Sequence, residues 1–148
     1  MSKDIIVKKG LNINLVGDAS KTLEISKNSK YYSLYPDDFH GVFPKLTIKV
    51  DQKVKAGDVL FFDKNNEEVK FVSPVSGKIT EIQRGERRRI VSIKILADKK
   101  IEYKNLGKLD AKADKNKIID YFLNSGLWPF IKQRPYDVIA DHKISPKS

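Results

Sequence analysis

Four arginines crowd one short stretch: Arg84, Arg87, Arg88 and Arg89, interrupted only by Gly85 and Glu86. A guanidinium presents a planar fork of donors that matches carboxylate or phosphate oxygens. In a loop between strands, this group is expected to meet acidic groups of a neighbouring protein or lipid headgroups, or else to form an exposed hairpin turn. A second concentration is aromatic: Trp128, Phe130 and Tyr136, with Leu127, gather where large rings pack a core or a neighbouring domain. His40 and His142 are the only histidines. Neither has a carboxylate or a second histidine at ligand spacing, so no metal site is expected. Asp37 and Asp38 are adjacent and would point to opposite faces of a strand, which suits a turn cap and not an acid–base pair. Phosphate-binding glycine loops and the serine elbow are missing from the sequence, and no catalytic residue is assigned.

The rest of the chain must hold these groups in place. With 148 residues, 40% hydrophobic and 32% charged, it is long enough for one folded domain plus an appendage. No apolar run approaches the roughly 18 residues of a membrane span, and MSKDIIVKKG has no secretory core. The cysteine count is zero, which removes disulfides, thiolate metal sites and cysteine catalysis. The net charge of +10 attracts nucleic acid, anionic lipid or an acidic partner. It is spread along the chain and no aromatics interleave with the arginine group, so a nucleic-acid partner is not expected.

Alternation dominates the first hundred residues. Leu11, Ile13 and Leu15 share one face of a run ended by Gly17, and Leu23 and Ile25 follow the same rule. Leu46, Ile48 and Val50 are expected inward with Thr47, Lys49 and Asp51 outward; Val91, Ile93 and Ile95 are expected inward with Ser92 and Lys94 at the surface. KNNEEVKF reads as a polar hairpin loop around Asn65 and Asn66. In VKAGDVL, Gly57 suits a turn needing positive φ, with Asp58 bonding back to the backbone. In SPVSGKI, Pro74 belongs at a strand edge or corner and Gly77 lets the chain bend. The two segments are expected to face each other and bury Val54, Val59, Leu60, Val72, Val75 and Ile79. After residue 108 the period becomes helical, with Asp114 as N-cap, Gly126 as stop, and Ile118, Ile119, Phe122 and Leu123 on one side. RPYDVIADHKISPKS carries no pattern. The expected division is a β-rich domain over 1–108, then a helix and a GLW linker over 109–148 leading to a further domain.

KVDQKVKAGDVLF followed by FVSPVSGKITEI resembles the biotinyl/lipoyl-like barrel-sandwich hybrid, so the fold class is mainly β (α+β) with a short helical segment after it. Carrier members of that fold modify a hairpin lysine. Lys64 and Lys70 lack the carrier setting, and read as charges that keep an edge soluble. In order along the chain, IIVKKGLNINLVGDAS, FHGVFPKL, KFVSPVSGKITEIQRGERR and NSGLWPFIKQRPYDVI resemble the NqrA family, one of the components of sodium-translocating NADH:quinone reductases. A more distant likeness is to the RnfC component of Rnf electron-transport complexes. The resemblance implies a peripheral subunit on the cytoplasmic side of the bacterial inner membrane, partnered by the other subunits of a sodium pump. NADH, quinone and flavins then act at the level of the whole complex, with no cofactor in this stretch and quinone association in the full-length component. It further implies a scaffolding role without turnover of its own, and a quinone-proximal position for Trp128, Phe130 and Tyr136. A stand-alone basic nucleic-acid-binding module is the alternative of another class.

Overall fold

The computed structural model describes residue 10 and residues 16–25, 27–110 and 112–144. The alternation at Leu11, Ile13 and Leu15 and the closing Pro146, Lys147 and Ser148 lie outside these residues. Seven strands come first: β1 (Tyr31–Leu34), β2 (Pro44–Leu46), β3 (Lys53–Val54), β4 (Val59–Asp63), β5 (Asn66–Val72), β6 (Gly77–Arg84) and β7 (Ile90–Ala97). Helix α1 (Lys115–Ser125) and a small hairpin, β8 (Lys132–Gln133) and β9 (Val138–Ile139), complete the order. Sheet one runs β1-β7-β6-β3 and sheet two β2-β4-β5, all pairs antiparallel.

The VKAGDVL and SPVSGKI segments are joined directly. Gly57 N–H donates to the Ser73 carbonyl at 2.8 Å, and Ser73 N–H donates to the Asp58 carbonyl at 2.8 Å. Gly57 has φ of 96°, open to glycine at no steric cost, while the Asp58 carboxylate accepts from Lys55 N–H at 2.7 Å. Pro74 occupies the corner between β5 and β6, where no ladder donor is needed. Val54, Leu60, Val75 and Ile79 are buried as expected, with Phe61, Val69, Phe71, Ile93 and Ile95 beside them, whereas Val59 and Val72 are half-buried. Gly77 does not bend the chain. It is a regular residue of β6 that lets the neighbouring strand come close: a Cβ there would lie 2.0 Å from the Leu96 carbonyl oxygen.

Several local expectations are corrected. Leu23 and Ile25 form no strand and are 92% and 91% exposed, because no described strand pairs with them and alternation alone buries nothing. Val50 is exposed, since β2 stops at Leu46 and the chain turns through Asp51 at φ of 71°. In β7 the register slips at Val91, with Gln83 opposite Ser92 but Arg84 opposite Ile90. This bulge sends Ile90 and Ser92 inward and leaves Val91 half-buried. KNNEEVKF is mostly strand, with a turn confined to Lys64 and Asn65.

The helix follows its sequence signals. The Asp114 carboxylate accepts from Lys117 N–H at 2.8 Å, and Gly126 ends the helix at φ of 73°. Leu123 is buried, Ile119 and Phe122 are half-buried, and Ile118 stays at the exposed edge. Gly126 also sets how closely α1 approaches β5, because a Cβ there would meet Val72 at 2.6 Å. Residues 98–104 strap the barrel on the way to this helix: Ala56 N–H donates to the Glu102 carbonyl at 2.9 Å, and Lys104 N–H to the Ala56 carbonyl at 2.8 Å.

Candidate functional site

Arg84 closes β6, Arg87 and Arg88 form a short 3-10 turn after Gly85, and Arg89 leads into β7. Arg87 and Arg88 both take left-handed backbone, at φ of 52° and 61°, which costs roughly 1–2 kcal/mol per residue for side chains bearing a Cβ. Arg84 Nη1 donates to the Arg88 carbonyl at 3.2 Å, which ties the strand end to the turn. Arg89 is not left for an outside partner: it pairs with Asp37 at 2.5 Å, and the carboxylate keeps that guanidinium more firmly protonated. Asp37 therefore anchors an arginine where a turn cap was expected. Lys45 and Lys64 line a groove of about 840 Å³ together with Arg84, Arg88 and Arg89, and Phe39, Val42, Phe43 and Leu46 line it too. Phe43 is 60% exposed there. Lys64 thus faces the groove from the β4–β5 turn, while Lys70 Nζ donates to Asn124 on α1 at 2.6 Å and is engaged with the helix.

The aromatic residues beyond the helix do not form one cluster. Trp128 is buried and its Nε1 donates to the Ala140 carbonyl at 2.7 Å, whereas Phe130 and Tyr136 are 70% and 78% exposed. Phe130 meets Phe39 edge to face at 6.1 Å, and Tyr136 sits in the turn of the β8–β9 hairpin. Residues 134–144 of the stretch without sequence pattern are thus folded. His142, which sequence spacing left unassigned, is placed by it: Nε2 donates to a Glu68 carboxylate oxygen on β5 at 2.6 Å. Its ring stands edge-on to Trp128 at 5.9 Å, and Nδ1 is buried with no partner. Glu68 and His142 are 74 positions apart, so no local spacing could have announced the pair. Among the described residues no three His, Cys, Asp or Glu side chains converge as a metal site.

The tail latch has a predictable acid limb. Lys143 first, and then His142, hold the Glu68 carboxyl below the usual carboxylate range, as Lys132 does for Asp137 in the hairpin. A carboxyl depressed on folding stabilises the fold above its unfolded value and loses that contribution as pH falls through its folded value. Acidification below about pH 4 should therefore loosen the tail. Trp128 is the single tryptophan, so its emission reports the change. Glu68→Gln should show the loosened signal already at neutral pH, with a shallower acid limb. An unchanged acid transition in that variant would remove Glu68 from the latch.

With this geometry in view, comparison with known proteins is decisive. Residues 5–98 match the family model described as the NqrA N-terminal barrel-sandwich hybrid domain, nearly two thirds of the chain. The chain belongs to the NqrA family. Its residues 113–148 match the model described as the NqrA second alpha/beta domain. Curated relatives, each named as the NqrA component of a Na(+)-translocating NADH-quinone reductase, include one from Saccharophagus degradans, 33% identical over 147 residues. Others come from Marinomonas sp., 32% identical over 145 residues, and Pseudomonas aeruginosa, 32% identical over 148. The alignments cover 96–97% of this chain and 33% of each relative, so the chain spans about a third of their length. The folded-over β body is the barrel-sandwich hybrid of this NqrA family, and no helix among the described residues is long and apolar enough to cross a membrane.

Proposed function

We propose that this NqrA-family chain is the leading part of the NqrA component of a sodium-pumping NADH:quinone oxidoreductase. It acts there as a scaffold that seats NqrA on the cytoplasmic side of the membrane complex and carries out no turnover itself. The observation that carries this reading is the ordered pair of family matches, 5–98 and 113–148, falling on the two-sheet β body and on the helical segment packed against β5. Three residues fit that role: Gly57 at a turn, Pro74 at a corner and Gly77 at a close strand approach all serve to fold the β body over itself. In this reading residues 113–148 begin the second alpha/beta domain, and the exposed Leu127, Phe130, Ile131 and Tyr136 are surface that further residues of that domain in NqrA cover.

Quinone association belongs to full-length NqrA in this proposal. A cleft of about 720 Å³ between α1 and the tail supports it, because Ile118, Ile119, Trp128 and Ile131 give it an apolar lining suited to a flat ring. The test is association and turnover together. A tagged 148-residue chain is expected to co-purify with the membrane components of the pump from detergent extracts. Alone, it should oxidise no NADH with a soluble quinone and carry no flavin bands. Flavin absorbance, turnover by the chain itself, or failure to co-purify would overturn the scaffold reading.

A further inference from the structure

We infer that the groove between the arginine turn and β2 binds a phosphate group carried on an apolar body. Its border holds five fixed cations, Lys45, Lys64, Arg84, Arg88 and Arg89, and one carboxylate, Asp37; five minus one leaves +4. The single carboxylate is already committed to Arg89, and Lys45 bridges to Glu67 at 3.5 Å. No carboxylate among the described residues bridges Arg84, Arg88 or Lys64. Arg84 Nη1 donates to the Arg88 carbonyl, which brings the Arg84 guanidinium to the turn that carries Arg88, and both residues line the groove.

Such an arrangement calls for a concentrated double negative charge. A phosphate supplies it to both guanidinium forks at once, whereas peptide carboxylates bring single charges spaced along a chain. The apolar lining sets the second requirement. Phe39, Val42, Phe43 and Leu46 line the same groove as the cations, so it offers apolar surface to the phosphate's attached group. The groove volume of about 840 Å³ lies in the range of small-molecule sites. Both a phosphatidic acid headgroup and a soluble phosphate monoester meet this description.

Pyrophosphate is the probe, titrated calorimetrically into the 148-residue chain at low salt. One saturable site is expected. Arg84→Gln with Arg88→Gln should weaken it at least about tenfold, since two charge-assisted bonds are lost. Arg84→Lys with Arg88→Lys keeps the charge but loses the forks, and should fall between. Removing the same charge elsewhere, with Lys99→Gln and Lys100→Gln, should change affinity by less than about twofold. Vesicles distinguish the sources. Binding to phosphatidic acid vesicles but not to phosphatidylcholine, displaced by pyrophosphate, assigns a lipid headgroup; pyrophosphate binding without vesicle binding assigns a soluble ester. The inference is overturned by absent saturation, by equal losses in the two glutamine pairs, by vesicle binding that pyrophosphate does not displace, or by tighter binding of an acidic peptide than of pyrophosphate.

Discussion

Gly77→Ala is expected to lower the chain's resistance to urea sharply. The added Cβ would sit 2.0 Å from the Leu96 carbonyl oxygen, 2.9 Å from its carbon and 3.0 Å from the Ala97 Cα. All three are backbone atoms of the paired strand β7, so no side chain can swing aside. Relief requires the β6–β7 pair to part where Gly77 also faces Val54 on β3. Overpacking of this kind costs about 1–3 kcal/mol and occasionally more, and the upper end applies where backbone must move; that is a sizeable fraction of the roughly 5–15 kcal/mol that holds a domain together. The urea midpoint should fall by about 1–2 M. Gly41→Ala is the comparison: nothing lies within 4 Å of its Cβ position, and only the positive φ of 78° is strained. That costs about 1 kcal/mol. If Gly77→Ala unfolds no earlier than Gly41→Ala, close strand approach is not what the glycine provides.

Phe71→Ala is the second large effect, at about 3–5 kcal/mol of unfolding free energy. Phe71 is buried on β5, stacked on Phe61 at 4.5 Å with an interplanar angle of 11°, and met edge-on by Phe39 at 4.6 Å. Truncation leaves a cavity between two rings and forfeits both aromatic contacts, each adding roughly 0.5–1.5 kcal/mol beyond burial. Phe39 also lines the arginine groove, so this ring column joins the barrel core to that surface. Phe71→Leu fills more of the space and should cost clearly less. Thermal or urea unfolding of the two variants checks the order, and equal losses would show that the rings do not pack as a column.

Local patterns carried the elements whose cause is local. Gly57 and Asp58 specify a turn through φ and an Asx bond, Pro74 marks a corner by its missing donor, and Asp114 and Gly126 cap α1 by their own backbone chemistry. The family was equally legible, because four ordered segments survive in sequence. Where a partner decides the outcome, pattern was silent or misleading. Leu23 and Ile25 alternate as well as Leu46 and Ile48 do, yet only the second pair has a strand beside it to be buried against.

The chain's own order of residues determined a corner-turning β body, a capped helix after it, and membership in NqrA. Only the tertiary structure decided that Gly77 serves close approach, that Val91 bulges and turns Ile90 inward, and that Arg89 is claimed by Asp37 while Arg84 and Arg88 line one groove with Lys45 and Lys64. It also brought His142 to Glu68. The physical reason is range. Turn dihedrals and helix caps are settled by atoms a few bonds apart, whereas a register slip, an ion pair or a groove wall depends on which distant strand arrives beside it.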